Sequence, residues 1–448
     1  MNGSVSTTRV EPLSQTSAPL TTNNLKNNMI REVWQDEKEK KPTFLWSYRL
    51  GNFMQELQER IRYFLKFDTT TRTRLIYKER IRFPTITICN ENRVVLSKAK
   101  VMDPYTVEMI KLIWSPDPLE SKTIEITDDN RDLANNSLMN WENAYITLSH
   151  TQKEVISSCV FKGELCKDSY LIDVSTTMGR CFQFNPRGQN HYATAAGSAD
   201  PLILILDTKQ HEYLAANSPS AGFRILLHEK DTVPEIYQRG IKLAPGMETV
   251  VSATLKESKY LPKPYGNCNN DATYRQATCF HNCSSNYVAK HCGCIDIDMT
   301  PKDKVPICAP LNFPCTRKKL IDYFKNQEFR KCDCPSQCDI ITYQSSISGS
   351  PISDYYLQVI NKDQPSLTAA EVDKNIVIVS IYFSSMISEE VTESAAYSWL
   401  ALMSDVGGAF GLILGATFLT LVELIDFLVV STFEYCTVKA HEKQARSA

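Results

Sequence analysis

From Val406 to Val422 the chain reads VGGAFGLILGATFLTLV without a charge, inside a longer apolar run from Trp399 to Val430. As a tilted helix, such a run crosses most of a ~30 Å hydrocarbon layer. The sequence therefore predicts a membrane helix over 397–430. Gly407, Gly411 and Gly415 recur every four residues, with Gly408 beside the first. That spacing puts three hydrogen-only side chains on one helix face, where another backbone can approach closely. A lone lipid-facing helix has no use for this. Asp405 stands above the run, Thr417 and Thr420 lie within it, and Glu423 and Asp426 stand below. Polar groups at membrane depth are tolerated mainly when they face protein or water. A glycine seam with carboxylates at both ends points to an oligomeric pore for cations.

Fourteen of the fifteen cysteines lie between Cys89 and Cys338, and Cys436 alone follows the apolar run. An even set on one side and a single thiol on the other fits an oxidised ectodomain and a reducing cytosolic tail. Lys439, Lys443 and Arg446 agree with a cytoplasmic C-terminus. Zinc is the alternative reading of Cys292-Gly-Cys294, Cys332-Asp-Cys334 and Cys334-Pro-Ser-Gln-Cys338, but structural zinc favours paired short spacings. No metal site is expected. The 49 Lys and Arg residues against 51 Asp and Glu leave no basic domain for nucleic acid. There is no HExxH, no GxSxG and no Walker lysine, so neither an enzyme nor a cofactor is expected. His281 and His291 flank cysteines and read as structural.

Residues 1–42, rich in Ser, Thr and Asn and then in charge, read as disordered. Helical spacing over about 43–66 predicts an amphipathic helix. The run 83–89, FPTITIC, reads as a strand, as do Cys181–Phe184, Leu202–Leu206, Phe223–Leu227, Thr249–Leu255 and residues 376–386. The fold class is α+β: a disulfide-rich β-core with helical parts and a C-terminal transmembrane helix. Asn135-Asn136-Ser137 is a glycosylation sequon at Asn135. Asp128-Asp129 and Glu389-Glu390 are adjacent carboxylates, a pattern in which two groups can share a proton.

On FPTITICN (83–90), GRCFQFN (179–185), KPYGNC (263–268), CDCPSQC (332–338) followed by Tyr343, and DVGG (405–408), the chain resembles the degenerin/epithelial sodium channel family, which includes acid-sensing channels. The likeness covers roughly residues 83–430. It implies an ectodomain over 83–396 with finger- and thumb-like helical parts, a pore-lining helix over 397–430 and a cytoplasmic tail over 431–448. It implies seven bridges: Cys89–Cys181, Cys159–Cys166, Cys268–Cys338, Cys279–Cys334, Cys283–Cys332, Cys292–Cys315 and Cys294–Cys308. Two of them pass a physical check. Cys279 and Cys283 stand ~6 Å apart along a helix, and Cys332 and Cys334 ~6.6 Å apart along extended chain.

By the same resemblance, three like or related subunits surround a path for sodium ions in the plasma membrane, with both termini cytoplasmic. Ser404, Asp405 and Gly408 match the gate. Gly415, Ala416 and Thr417 match a selectivity filter in which the family has Ser at the third place. Glu423 and Asp426 match carboxylates at the inner mouth, and Gly407 and Gly411 pack the helices.

The chain departs from the family pattern in further respects: no His is followed by Gly, where the family has a His-Gly gating dipeptide, and the N-terminal region differs. A first membrane helix is expected ahead of FPTITICN, within the N-terminal region 1–82. Between Lys41 and Arg82 the longest uncharged stretch is Pro42–Tyr48, too short to span a bilayer. The expectation is a channel subunit lacking its first span, which conducts no current alone. The alternative is a single-pass, disulfide-rich receptor or regulatory partner of such channels.

Overall fold

The computed structural model describes residues 42–445, except for most of 103–145 and for 177, 217–218, 297–298, 300–304, 310–311, 364–373 and 415–417. Asn135 and the pair Asp128-Asp129 lie outside the described residues. Along the chain the main elements are α1 (Pro42–Phe64), β1 (Thr69–Tyr77), β2 (Thr85–Asn90), β3 (Ile156–Phe161), β4 (Leu171–Thr176) and β5 (Gly179–Phe184). Then come β6 (Leu202–Asp207), β7 (Phe223–His228), β8 (Met247–Lys259), α2 (Gln276–Cys292), α3 (Phe313–Lys325) and β9 (Asp339–Pro351). The chain closes with β10 (Ile376–Ala395), α4 (Trp399–Ala409) and α5 (Phe418–Ala445). It divides into two units: residues 69–395, and residues 1–68 together with 396–448.

Residues 69–395 are built on two sheets. The larger has seven strands, ordered β9-β8-β10-β6-β3 and then Glu164–Leu165, with β1 on the far half of β10. β10 is the shared strand. Its first residues pair with β6, Leu204 opposite Val379, and its last with β1, Thr69 opposite Ala395. β8 lies parallel to it along most of this length. The smaller sheet has five strands, ordered Ile241–Leu243, β7, β2, β5, β4. One apolar cluster joins the two: Ile86, Ile88, Phe182 and Phe223 from the smaller sheet, with Leu204, Val251, Val379 and Phe383 from the larger. Phe83 sits at its centre, edge-on to Phe161, Phe184 and Phe383 at centroid distances of 5.1, 6.0 and 5.8 Å.

β2 shows why the sequence folds this way. All of its residues are buried, although Thr and Ile alternate along it. Its polar side chains are therefore bound internally. Thr85 donates to the Asn185 carbonyl at 2.9 Å, and the Asn90 amide donates to the Thr208 carbonyl at 3.1 Å. Unpaired, each would cost on the order of 1–3 kcal/mol.

The helical part is held by cystines. The structure closes seven disulfides between the pairs given above. All fourteen cysteines between Cys89 and Cys338 are consumed in them. Cys279 and Cys283, one turn apart on α2, reach Cys334 and Cys332 with Cα separations of 5.8 and 6.3 Å. Cys292 at the end of α2 is tied to Cys315 on α3. A long closed loop of this kind is worth roughly 2–4 kcal/mol per bridge.

Candidate functional site

Asp405, on α4, is the polar centre of the smaller unit. Its Oδ2 accepts a hydrogen bond from the Tyr397 hydroxyl at 2.7 Å and one from Arg60 Nη1 at 3.2 Å. Each partner is placed by local structure. Tyr397 precedes α4, whose first turn is capped by Ser398 Oγ accepting from the Ala401 N–H at 3.1 Å. Arg60 projects from α1, where Glu56 stands one turn back at 3.7 Å. Tyr63 rests edge-on against Tyr397 at 5.1 Å, and Phe53 meets Phe410 at 4.5 Å. Rising numbers on α1 thus meet falling numbers on α4, and the two helices are antiparallel neighbours. Among the described residues Phe53 and Leu402 are their buried apolar side chains.

The opposite character holds at the glycines. A Cβ added at Gly407 or Gly408 meets nothing within 4 Å. Among the described residues no contact requires them to lack a side chain. Ser404 is exposed on the same helix. After Gly408 the helix loosens into a π-helical segment, Phe410–Leu414, which includes Gly411. Such wider turns often mark functional positions. Gly415, Ala416 and Thr417, matched above to a selectivity filter, lie outside the described residues. α5 follows, with Glu423 and Asp426 exposed beside Leu419, Leu424, Phe427 and Val429. A continuous exposed apolar surface of this kind marks a protein or membrane contact.

Two readings of the sequence can be set beside the structure. The first is the single membrane helix over 397–430. Among the described residues no helix is long and apolar enough to cross a membrane. The described parts of the apolar run are α4, its π-helical segment and α5, and α5 carries Glu423, Asp426 and Glu434. The second concerns Glu389 and Glu390, which are neighbours in β10 and so point to opposite faces. Each has its own cation: Lys256 at 2.7 Å from Glu389, Lys259 at 3.6 Å from Glu390.

β1 is among the elements that were missed. Thr69–Tyr77 falls inside the charged stretch assigned to the N-terminal region, yet it is a strand of the larger sheet. The role of Arg60 also escaped. Its charge counted against a membrane span, and nothing in the local sequence ties it to a carboxylate hundreds of residues away.

The profile of a protein family described as amiloride-sensitive sodium channel matches residues 44–427. The chain belongs to that family. It is a family of ion channels and not of enzymes, and the fold and the seven disulfides described above are those of a family member. Zebrafish (Danio rerio) acid-sensing ion channel 1A is 27% identical over 400 residues, covering 83% of this chain and 78% of that protein. Chicken (Gallus gallus) acid-sensing ion channel 1 is 28% identical over 398 residues, covering 82% and 74%. Human acid-sensing ion channel 2 is 26% identical over 409 residues, covering 85% and 78%. A cryo-EM structure of a proton-activated chloride channel aligns over 87% of this chain and 95% of that one, at 6% identity and a TM-score of 0.34. As a member of the amiloride-sensitive sodium channel family, the chain is a sodium-channel-type subunit.

Proposed function

We propose that this chain is a subunit of a sodium-selective, amiloride-sensitive-type cation channel in the plasma membrane. Its disulfide-rich domain is extracellular and controls the pore, and three like or related subunits surround the ion path. The observation that carries this reading is the open glycine face of α4. A Cβ at Gly407 or Gly408 meets nothing within 4 Å, which leaves this face open to another subunit. In this reading Ser404, Asp405 and Gly408 form the gate, and Gly415, Ala416 and Thr417 the filter. Glu423 and Asp426 draw cations to the inner mouth, Gly407 and Gly411 pack copies together, and Asn135 carries a glycan.

The chain also fits a subunit that does not conduct alone. α1 occupies the place next to α4 but carries Arg49, Glu56, Glu59, Arg60 and Arg62. These charges resist insertion into a bilayer without partners. The chain then acts in company, changing the current or surface level of related subunits. Voltage clamp tests both parts. Expressed alone, the chain gives no amiloride-sensitive sodium current. Co-expressed with a conducting relative, Gly408→Trp in this chain changes that relative's current. A robust current from the chain alone overturns the non-conducting part, and no effect of any kind on a partner overturns the subunit role.

A further inference from the structure

Two cavities lie side by side in the larger unit. The first, about 250 Å³, has Arg82, Arg187, Lys230 and Arg275 in its wall, against Glu229 and Asp231. The second, about 340 Å³, shares Glu229, Ile341 and Tyr343 with the first and adds Leu226, Val233, Phe280 and Ile340. A basic chamber thus adjoins one of mixed lining, in which Leu226, Val233, Phe280 and Ile340 form an apolar stretch beside His228, Glu235 and Arg239.

The basic chamber is short of negative charge. Arg275 Nη2 lies 3.3 Å from Glu229 and Arg187 Nε 3.5 Å from Asp231. Neither Arg82 nor Lys230 has a carboxylate within 4 Å among the described residues. The Lys230 ammonium donates instead to the Gln189 carbonyl and to Asn190 Oδ1. Burial, and after it the nearby Arg82, push its pKa down. Arg275 Nε is buried and has no hydrogen-bond partner. Guanidinium groups with spare donors pair well with carboxylates. Small-molecule sites typically combine an apolar wall with a few convergent polar groups.

We propose that the paired cavities bind a small amphipathic carboxylate, its anionic head among Arg82, Lys230 and Arg275 and its apolar group against Val233, Phe280 and Ile340. Arg275 stands at the start of α2, and Lys230 lies in the turn after β7. An occupant ties the cystine-braced helix to the smaller sheet. The site is separate from the pore residues and holds whether or not the chain conducts.

Isothermal titration of the full-length chain in detergent tests this with phenylacetate, phenylacetamide and inorganic phosphate as probes. Phenylacetate binds saturably, and phenylacetamide and phosphate bind at least about tenfold more weakly, since each lacks one half of the recognised chemistry. The double variant Arg82→Gln/Lys230→Gln loses about tenfold for phenylacetate and leaves phenylacetamide unchanged. Phosphate binding as tightly as phenylacetate overturns the apolar half, and equal binding of phenylacetamide overturns the charged half. Absence of saturable phenylacetate binding overturns the site. The comparison of probes on the unsubstituted chain decides these outcomes without relying on any variant to fold.

Discussion

The guanidinium of Arg224 places two of its nitrogens on one oxygen of Glu91, Nη2 at 2.9 Å and Nε at 3.0 Å, and both side chains are buried. Nη1 donates to the Tyr237 carbonyl at 2.6 Å, so the cation is held from two sides. Removing one member of such a pair leaves an uncompensated buried charge, at roughly 3–5 kcal/mol. Glu91→Ala is therefore expected to destabilise the larger unit by about that much. Urea unfolding of the full chain, followed by tryptophan fluorescence, measures it. An unchanged midpoint contradicts the pair's structural role.

The Tyr397–Asp405–Arg60 contact predicts a milder effect. Arg60 and Asp405 are both substantially exposed at 47% and 39% of their side chains, so the ion pair is worth at most about 1 kcal/mol. Tyr397→Phe and Arg60→Gln each free part of the Asp405 carboxylate. In a conducting complex containing this chain, each is expected to shift the open-to-closed balance by up to about fivefold. Single-channel recording reads the change, and Asp405→Asn combined with either variant adds little.

Acid should weaken the larger unit through two histidines. Burial lowers the pKa of His228 to about 4, against a backbone hydrogen bond to Glu229 that raises it and Arg239 that adds to the fall. Burial likewise lowers His150 to about 4, partly opposed by Glu154. His228 accepts from Thr87 at Nε2 and donates from Nδ1 to the Glu229 carbonyl, both at 2.8 Å, which fits the neutral ring. A folded-state pKa below the unfolded 6.5 means the unfolded chain binds the proton more readily. The contribution of each ring is complete above pH 6.5 and is lost as pH falls toward 4, up to about 3 kcal/mol apiece. His228→Gln should flatten this limb of the stability curve, as measured by urea midpoints from pH 7 to pH 4.

The two rungs on α2 predict a cooperative loss. Replacing Cys279 and Cys334 together by Ala removes a bridge spanning 55 residues and is expected to cost about 2–4 kcal/mol. The Cys283–Cys332 bridge remains, so the helix is retained while its N-terminal turn frays. Hydrogen exchange across 276–283 detects this as faster exchange confined to that turn.

Much of the β-core was legible. FPTITIC stands out because β2 is buried on both faces, and Leu202–Leu206 and residues 376–386 are strongly apolar for the same reason. Two of the strands that escaped bury little. β1 reads TTTRTRLIY and lies mostly exposed, and β9 beyond Tyr343 is exposed QSSISGSP. Their identity as strands comes from the partner's backbone and not from their own side chains. The far half of β10 was hidden likewise, since its Glu389, Glu390 and Glu393 resemble a surface loop until Lys256, Lys259 and β1 are beside them. At the candidate gate Asp405 was legible from its place beside the glycines. Arg60 was not, because a pairing between distant helices leaves no trace in local composition.

The placement of Ile376–Ala395 between β8, β6 and β1 makes the end of the larger unit indispensable to its beginning. A nascent chain that has emerged only as far as β9 already contains three strands awaiting one missing neighbour. Message truncated before codon 376 would yield a product with raw, adhesive sheet margins. Such a product would be a target for cellular quality control, and it could not serve as a shortened working form.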